Sequence, residues 1–443
     1  MKVRFAPSPT GLLHAGNARI AVANALLARR HSGRFLLRLD DTDRPRSRPE
    51  YEDAIGQDLA WLGIQWDEYA RQSDRLARYA AAADRLKAAG RLYPCFESEE
   101  ELAYKREQRL RRGKPPIYDR EMLRLTPEQR ARAEANGKRP YWRFKLSDGV
   151  ARWDDLVLGP REVKLTTTSD PVLVRADGAP LYTFTSSVDD LEDGVTHVVR
   201  GEDHVANTGV QLDIMAALGA RPGAMRFGHL PLLMAEDGGK LSKRGGAPTL
   251  RAMRQDGVEP EALLGYIARL GTPDAPEPLG LDALAATFDL ARVSHAPPRF
   301  DASQLLALNR RALHALPWDA VRDRLPPGAT PAFWEAVRGN LDLLREVRGW
   351  WDVVAGRIVP PVVEGEQGYL RDALDLLPAE PWDGEVWRGW TGALRERTGR
   401  KGRALFLPLR LALTGEDHGP ELRDLLPLIG RERVAERLRL AAS

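Results

Sequence analysis

The stretch that most limits the possible folds lies at the amino end. Val3-Arg4-Phe5-Ala6 runs into Pro7-Ser8-Pro9-Thr10-Gly11, and that turn runs into Leu12-Leu13-His14-Ala15-Gly16-Asn17 and an alanine-rich segment to Arg30. A short apolar strand, a Pro/Gly turn and a helix start follow one another without a linker. A helix start aims unpaired N–H groups and a partial positive charge at whatever precedes it, so the turn is a natural seat for phosphate. His14 is expected to face that seat, and Gly16 to let a flat ring approach the first helical turn. Taken alone, the segment reads first as an ordinary strand-turn-helix corner with one structural histidine.

Further along stands Lys240-Leu241-Ser242-Lys243-Arg244, with Gly238-Gly239 before it and Gly245-Gly246 after it as hinges. With both segments in view, the chain resembles the glutamyl-tRNA synthetases of class I. RFAPSPTGLLHAGNAR matches that family's first signature and KLSKR its mobile second one. RFLLRLDDTDRPRS, LYTFTSSVDDLEDGVTHVVRGEDHVANTGVQ and FGHLPLL lie between them in the family's order.

The resemblance implies a chemistry and a residue set. Class I activation holds ATP bent while a carboxylate attacks the α-phosphorus in line, so positioning and charge stabilisation do most of the work. His14, Lys240 and Lys243 take the catalytic positions. Thr10, His14, Gly16, Asn17, Asp203, Leu232, Leu233 and Lys243 take the ATP-binding ones. Arg4, Ala6, Ser8, Asp40, Tyr182, Ser186 and Arg200 match the glutamate pocket, with Arg4 and Arg200 as two planar forks for the γ-carboxylate and Asp40 for the α-ammonium. Many family members have glutamate where Asp40 stands. Asp189-Asp190 is acidic and near the site, yet no general base is required, because the attacking carboxylate is already ionised.

The expected fold is an α/β Rossmann-like catalytic domain with an α+β insertion, followed by an all-α carboxyl-terminal half. Residues 1–96 and 181–236 form the discontinuous catalytic domain and 97–180 the insertion, which by resemblance grips the tRNA acceptor end. Residues 237–314 form a helical linker carrying KLSKR at its start, and 315–443 an all-helical anticodon-binding region. Helices are read over Gly16–His31, Tyr51–Leu62, Gln72–Ala89 and Asn207–Leu218. Strands are read over Arg34–Leu39, Tyr141–Leu146, Leu181–Phe184, His197–Arg200 and Phe227–Leu233. The glutaminyl relatives end in β-barrels, but no run of alternating strands is present here.

At 443 residues the chain is too long for a single core. It has no apolar run of membrane-spanning length and no signal-peptide core, which points to a cytoplasmic protein with no membrane partner. The lone Cys95 rules out an intrachain disulfide and argues against a thiolate-rich zinc site, so no metal site and no structural zinc are expected. A net charge of +3 announces no nucleic acid, but Lys105 to Lys114 holds six basic residues in ten and Arg395 to Arg403 five in nine. Trp318, Trp334, Trp350, Trp351, Trp382, Trp387 and Trp390 could stack on bases, though at helical spacing a core role takes precedence.

The implied cofactor is ATP with Mg2+. The implied partners are L-glutamate and tRNA(Glu), with tRNA(Gln) also or instead, on a monomer. Three rivals remain open: glutamylation of a modified tRNA base, a nucleotidyltransferase for a small acid, and a non-catalytic tRNA-binding paralogue.

Overall fold

The computed structural model describes residues 1–239 and 248–443. Lys240, Lys243 and the Gly245-Gly246 hinge therefore lie outside the described residues. By internal packing the chain divides into one unit of residues 1–253 and 264–301 and a second of 254–263 and 302–443.

The first unit begins as the amino-terminal motif predicts. Strand β1 (Lys2–Phe5) leads to helix α1 (Ala15–Arg30), β2 (Arg34–Leu39), helix α2 (Pro49–Trp61), β3 (Glu68–Arg71) and helix α3 (Leu76–Ala88). Pro49 starts α2, where its missing N–H costs nothing. Sequence periodicity misses β3, and Gln72–Arg75, read as the start of a long helix, is a separate short 3-10 turn. Strand β4 (Leu92–Cys95) precedes the expected insertion, residues 97–180, which carries the exposed helices α4 (Glu99–Arg111) and α5 (Pro127–Ala135) and β5 (Tyr141–Phe144). The insertion ends in the hairpin β6 (Val150–Asp155) and β7 (Gly159–Lys164), followed by β8 (Val172–Val174). Helix α6 (Tyr182–Glu192), β9 (His197–Gly201), helix α7 (Val205–Ala217) and β10 (Arg226–Leu230) complete the sheet.

One element differs in kind from expectation. Leu181–Phe184, read as a strand, forms the N-cap and first turn of α6. Its aromatic and β-branched residues favour a strand locally, but Phe184 and Val188 recur one helical turn apart and both are buried in the core that α3 and β4 share. Pro231 ends β10 at Leu230, three residues short of the expected limit.

The main sheet is parallel throughout, in the order β10-β9-β1-β2-β3. The chain moves outward from β1 through β2 to β3, then returns after the insertion to place β9 on the other side of β1. The boundary between β1 and β9 is thus a topological switch point, where crevices open at the carboxyl ends of strands. Helix α1 packs on β1, β2 and β9, and its alanines allow close approach. Strand β4 pairs with β5, and β5 with β8, in a separate antiparallel sheet, β4-β5-β8, beside the β6-β7 hairpin of the insertion.

In the second unit every regular element among the described residues is helical. Its core contains Trp334 and Trp390 fully buried, each donating its indole N–H at 2.9 Å to the carbonyls of Leu316 and Ala373 respectively. Trp318, Trp350, Trp351, Trp382 and Trp387 pack against the same core. The tryptophans hold the bundle together, as helical spacing indicates.

Candidate functional site

A cleft of about 450 Å3 opens at the switch point. Arg4, Ala6 and Ser8 reach it from the end of β1, and Thr10, His14, Gly16 and Asn17 from the turn and the first turn of α1. Arg200 and Asp203 enter from the end of β9, Tyr182 from the start of α6, and Leu232 and Leu233 from beyond β10. Asp40 and Ser186 do not line it.

His14 is the N-cap of α1. Its Nδ1 accepts the Gly16 N–H at 3.1 Å, while the Asn17 side chain accepts the His14 N–H at 3.2 Å. Accepting through Nδ1 places the ring proton on Nε2. No acidic residue sits in the first turn of α1, so nothing there offsets the positive end of its dipole. A Cβ on Gly16 would lie 2.9 Å from His14 Cε1. The glycine therefore makes room for the capping imidazole itself, in addition to any ring a ligand brings. The Thr249 backbone pairs with His14, and the Leu250 N–H donates to the Leu13 carbonyl at 3.0 Å, which pins the chain after KLSKR beside this turn.

Arg200 is 5% exposed and its protein partners are neutral. Its Nε donates to His229 Nε2 at 3.3 Å, and Nη2 donates to Thr208 Oγ1 and Gln211 Oε1 at 2.7 Å each. Nη1 makes one long contact, 3.4 Å to Tyr182 Oη, on the side where Tyr182 lines the cleft. Burial lowers its pKa, and the Arg4 charge lowers it further, so the two cations feel one another. The neighbouring His204 is pushed down to about 4 by burial and by Arg200, and adds no charge near neutral pH.

Arg4, 3% exposed, is held differently. Its Nε donates at 3.2 Å to Asp190 Oδ1, the same oxygen that accepts Arg38 Nη1 at 2.6 Å. Arg38 is fully buried and also donates to both oxygens of Asp40, at 2.8 and 3.4 Å. Burial pushes the Asp40 carboxyl up to about 6 against the pull of Arg38. Asp189, also fully buried, accepts from Gln72, Tyr79 and Arg75. Asp40 and Ser186 thus stand behind the lining: Asp40 orients Arg38, and Ser186 Oγ accepts from Gln211 Nε2 at 2.6 Å.

Several residues that the sequence reading did not single out complete the frame. Arg38, Thr208, Gln211 and His229 hold the two cleft arginines. Arg19 donates to the carbonyls of Pro231 and Leu270 at 2.5 and 3.1 Å, tying α1 to the segment that carries Leu232 and Leu233. Arg19 and Gln211 fall inside quoted motifs, but nothing local in the sequence marks their partners. Cys95 is buried with its thiol pushed up to about 12 by burial, 3.6 Å from Tyr118 Oη. Among the described residues no group of three or more His, Cys, Asp or Glu is arranged to hold a metal ion.

A helix start facing a switch-point cleft, with strand-end arginines beside it, is the catalytic architecture of a class I tRNA synthetase. Residues 1–307 match the family described as tRNA synthetases class I (E and Q), catalytic domain, and residues 363–442 match the anticodon binding domain. Two curated relatives, from Gluconacetobacter diazotrophicus and Acidiphilium cryptum, are each 66% identical over 442 residues, cover 100% of both chains, and are named glutamate–tRNA ligase 2. A solved structure of a glutamate tRNA ligase from Elizabethkingia meningosepticum in complex with its amino acid matches with a TM-score of 0.86 at 26% identity, covering 100% of this chain and 99% of that one. The chain belongs to the glutamate–tRNA ligase family of class I synthetases.

Proposed function

We propose that the protein joins L-glutamate to the 3′ end of tRNA(Glu), consuming ATP through a glutamyl-adenylate. ATP, brought as its Mg2+ complex, lies with its phosphates at the start of α1, where His14 Nε2–H and the backbone N–H groups face it. The γ-carboxylate of glutamate meets Arg200 Nη1 and Arg4, with Tyr182 and Ser8 beside them. Neutral glutamine would leave the uncompensated charge of Arg200 buried, which discriminates against it. The α-carboxylate attacks the α-phosphorus, and Lys243, with Lys240 beside it in sequence, stabilises the departing pyrophosphate. The terminal adenosine hydroxyl of the tRNA then takes the glutamyl group. The observation that carries this reading is the convergence of Arg4 and Arg200, from strands on either side of the switch point, on the cleft that His14 lines.

Residues 97–180 are read as the acceptor-end domain and 315–443 as the anticodon-reading region, the protein acting as a cytoplasmic monomer. The match to an anticodon binding domain disfavours glutamylation of a tRNA base by a shortened relative. Glutamate-dependent exchange between ATP and pyrophosphate, with and without tRNA, followed by charging of purified tRNA(Glu) and tRNA(Gln) side by side, tests the reading. Glutamate is expected to appear on tRNA(Glu), and Lys243→Ala to slow activation strongly with tRNA affinity nearly unchanged. Absence of exchange under every condition, or charging confined to tRNA(Gln), overturns it.

A further inference from the structure

The hairpin strand β6 ends in Asp155, a buried carboxylate that serves the main sheet. Its Oδ1 accepts the backbone N–H of Val157, Leu158 and His229 at 3.1, 3.0 and 3.0 Å. Its Oδ2 accepts from the Trp153 indole at 3.2 Å and meets His229 Nδ1 at 2.5 Å. Asp155 and His229 are both 0% exposed at the side chain. Burial raises the Asp155 pKa, but the bonds from His229 and the backbone outweigh it and hold the carboxyl well below its usual range. Asp155 is therefore an acceptor only; burial lowers the His229 pKa and keeps the ring neutral, so its single proton resides on Nδ1. His229 Nε2 then bears a lone pair, turned toward Arg200 Nε at 3.3 Å and Thr208 Oγ1 at 3.0 Å.

We infer that Asp155 and His229 are positioning residues for substrate selection: Asp155 fixes the His229 tautomer, and the Nε2 lone pair fixes the rotation of the Arg200 fork. The inference rests on the reading of Arg200 as the γ-carboxylate partner. Nε anchored on His229 and Nη2 anchored on Thr208 and Gln211 leave Nη1 as the edge presented to the cleft. With the proton on Nε2 instead, two N–H groups would face each other and the fork would have to turn. The insertion hairpin thereby sets the aim of a specificity residue at the end of β9.

Three variants separate this role from simple packing, read as KM for glutamate, KM for ATP and melting temperature in pyrophosphate exchange with tRNA present. His229→Asn keeps a donor toward Asp155 but has no acceptor at the Nε2 position. It is expected to raise KM for glutamate about tenfold or more, with KM for ATP changed less than about threefold. His229→Gln places an amide oxygen near the Nε2 position and is expected to recover most of that loss. Asp155→Asn offers a donor to Nδ1, drives the ring proton to Nε2, and is expected to resemble His229→Asn, as tautomer reversal does in catalytic triads. Equal changes in both KM values, or His229→Gln no better than His229→Asn at equal melting temperature, would overturn the inference. Arg200→Ala is the reference: if it leaves KM for glutamate unchanged, the pocket reading fails first. If it raises that KM while His229→Asn does not, only the positioning role fails.

Discussion

The two sides of the cleft hold their arginines in opposite ways. On the β9 side, Arg200 is surrounded by a neutral imidazole, a hydroxyl, an amide and a phenol, so its charge is solvated by dipoles and, among the described residues, paired directly with no anion. On the β1 side, Arg4 shares Asp190 with Arg38, inside a cluster where Asp40 and Asp189 supply further negative charge. On the proposed function, the substrate carboxylate would find its missing partner on the β9 side and a prepaired, rigid donor on the β1 side. One arginine would then serve the ligand, while the other is bound chiefly into the fold.

This contrast can be broken by removing charge from each side in turn. Asp190→Asn should be the most damaging change to the fold, because it leaves Arg4 and Arg38 buried with too little negative charge. A loss of about 3 to 5 kcal/mol is expected from urea unfolding, and a loss below about 1 kcal/mol would show that the cluster is not needed for stability. Arg200→Met should do the reverse. Stability stays level or rises, since a buried unmatched cation is replaced by an apolar chain. KM for glutamate rises on the order of 100-fold, with little change for ATP. An equal rise for ATP would remove the distinction between the two sides.

Gly16→Ala sharpens the comparison from the nucleotide side. The added methyl displaces the His14 ring from its cap, which should cost about 1 kcal/mol of stability and raise KM for ATP more than KM for glutamate in steady-state exchange. The smallest effect is a slope with pH. The Asp40 carboxyl, raised by burial from an ordinary 3.8 to about 6, holds its proton more tightly when folded. Its stabilising contribution is full below 3.8 and is lost as pH rises to about 6, so the urea midpoint should decline across that window. Asp40→Asn should flatten the decline, and an unchanged slope would assign the titration elsewhere.

Much of this site could be read from the sequence because its chemistry is local. The strand, turn and helix start lie within a few residues of one another, and Arg200 is marked by the strand it ends. The supporting frame could not be read in this way. Arg38 looks like one more strand residue, and its partner Asp190 is 152 positions away. His229 sits in a quoted motif, but its role depends on Asp155, 74 positions earlier in a different sheet. Leu181–Phe184 misleads for a related reason: its residue types favour a strand, and only the burial of Phe184 and Val188 on one face decides for a helix. Short-range order is written in neighbouring residues, whereas buried charge networks are written in pairs that meet only after folding.

The strand order has a consequence for synthesis. β9 is the neighbour that covers one edge of β1, yet it leaves the ribosome only after the whole insertion has been made. At about 5 to 20 residues per second, Lys2–Phe5 waits about 10 to 40 seconds as an unprotected edge on a nascent chain before His197 is made. Chaperone capture during that interval, or a pause in translation just after the insertion, would govern yield without altering any contact of the finished enzyme.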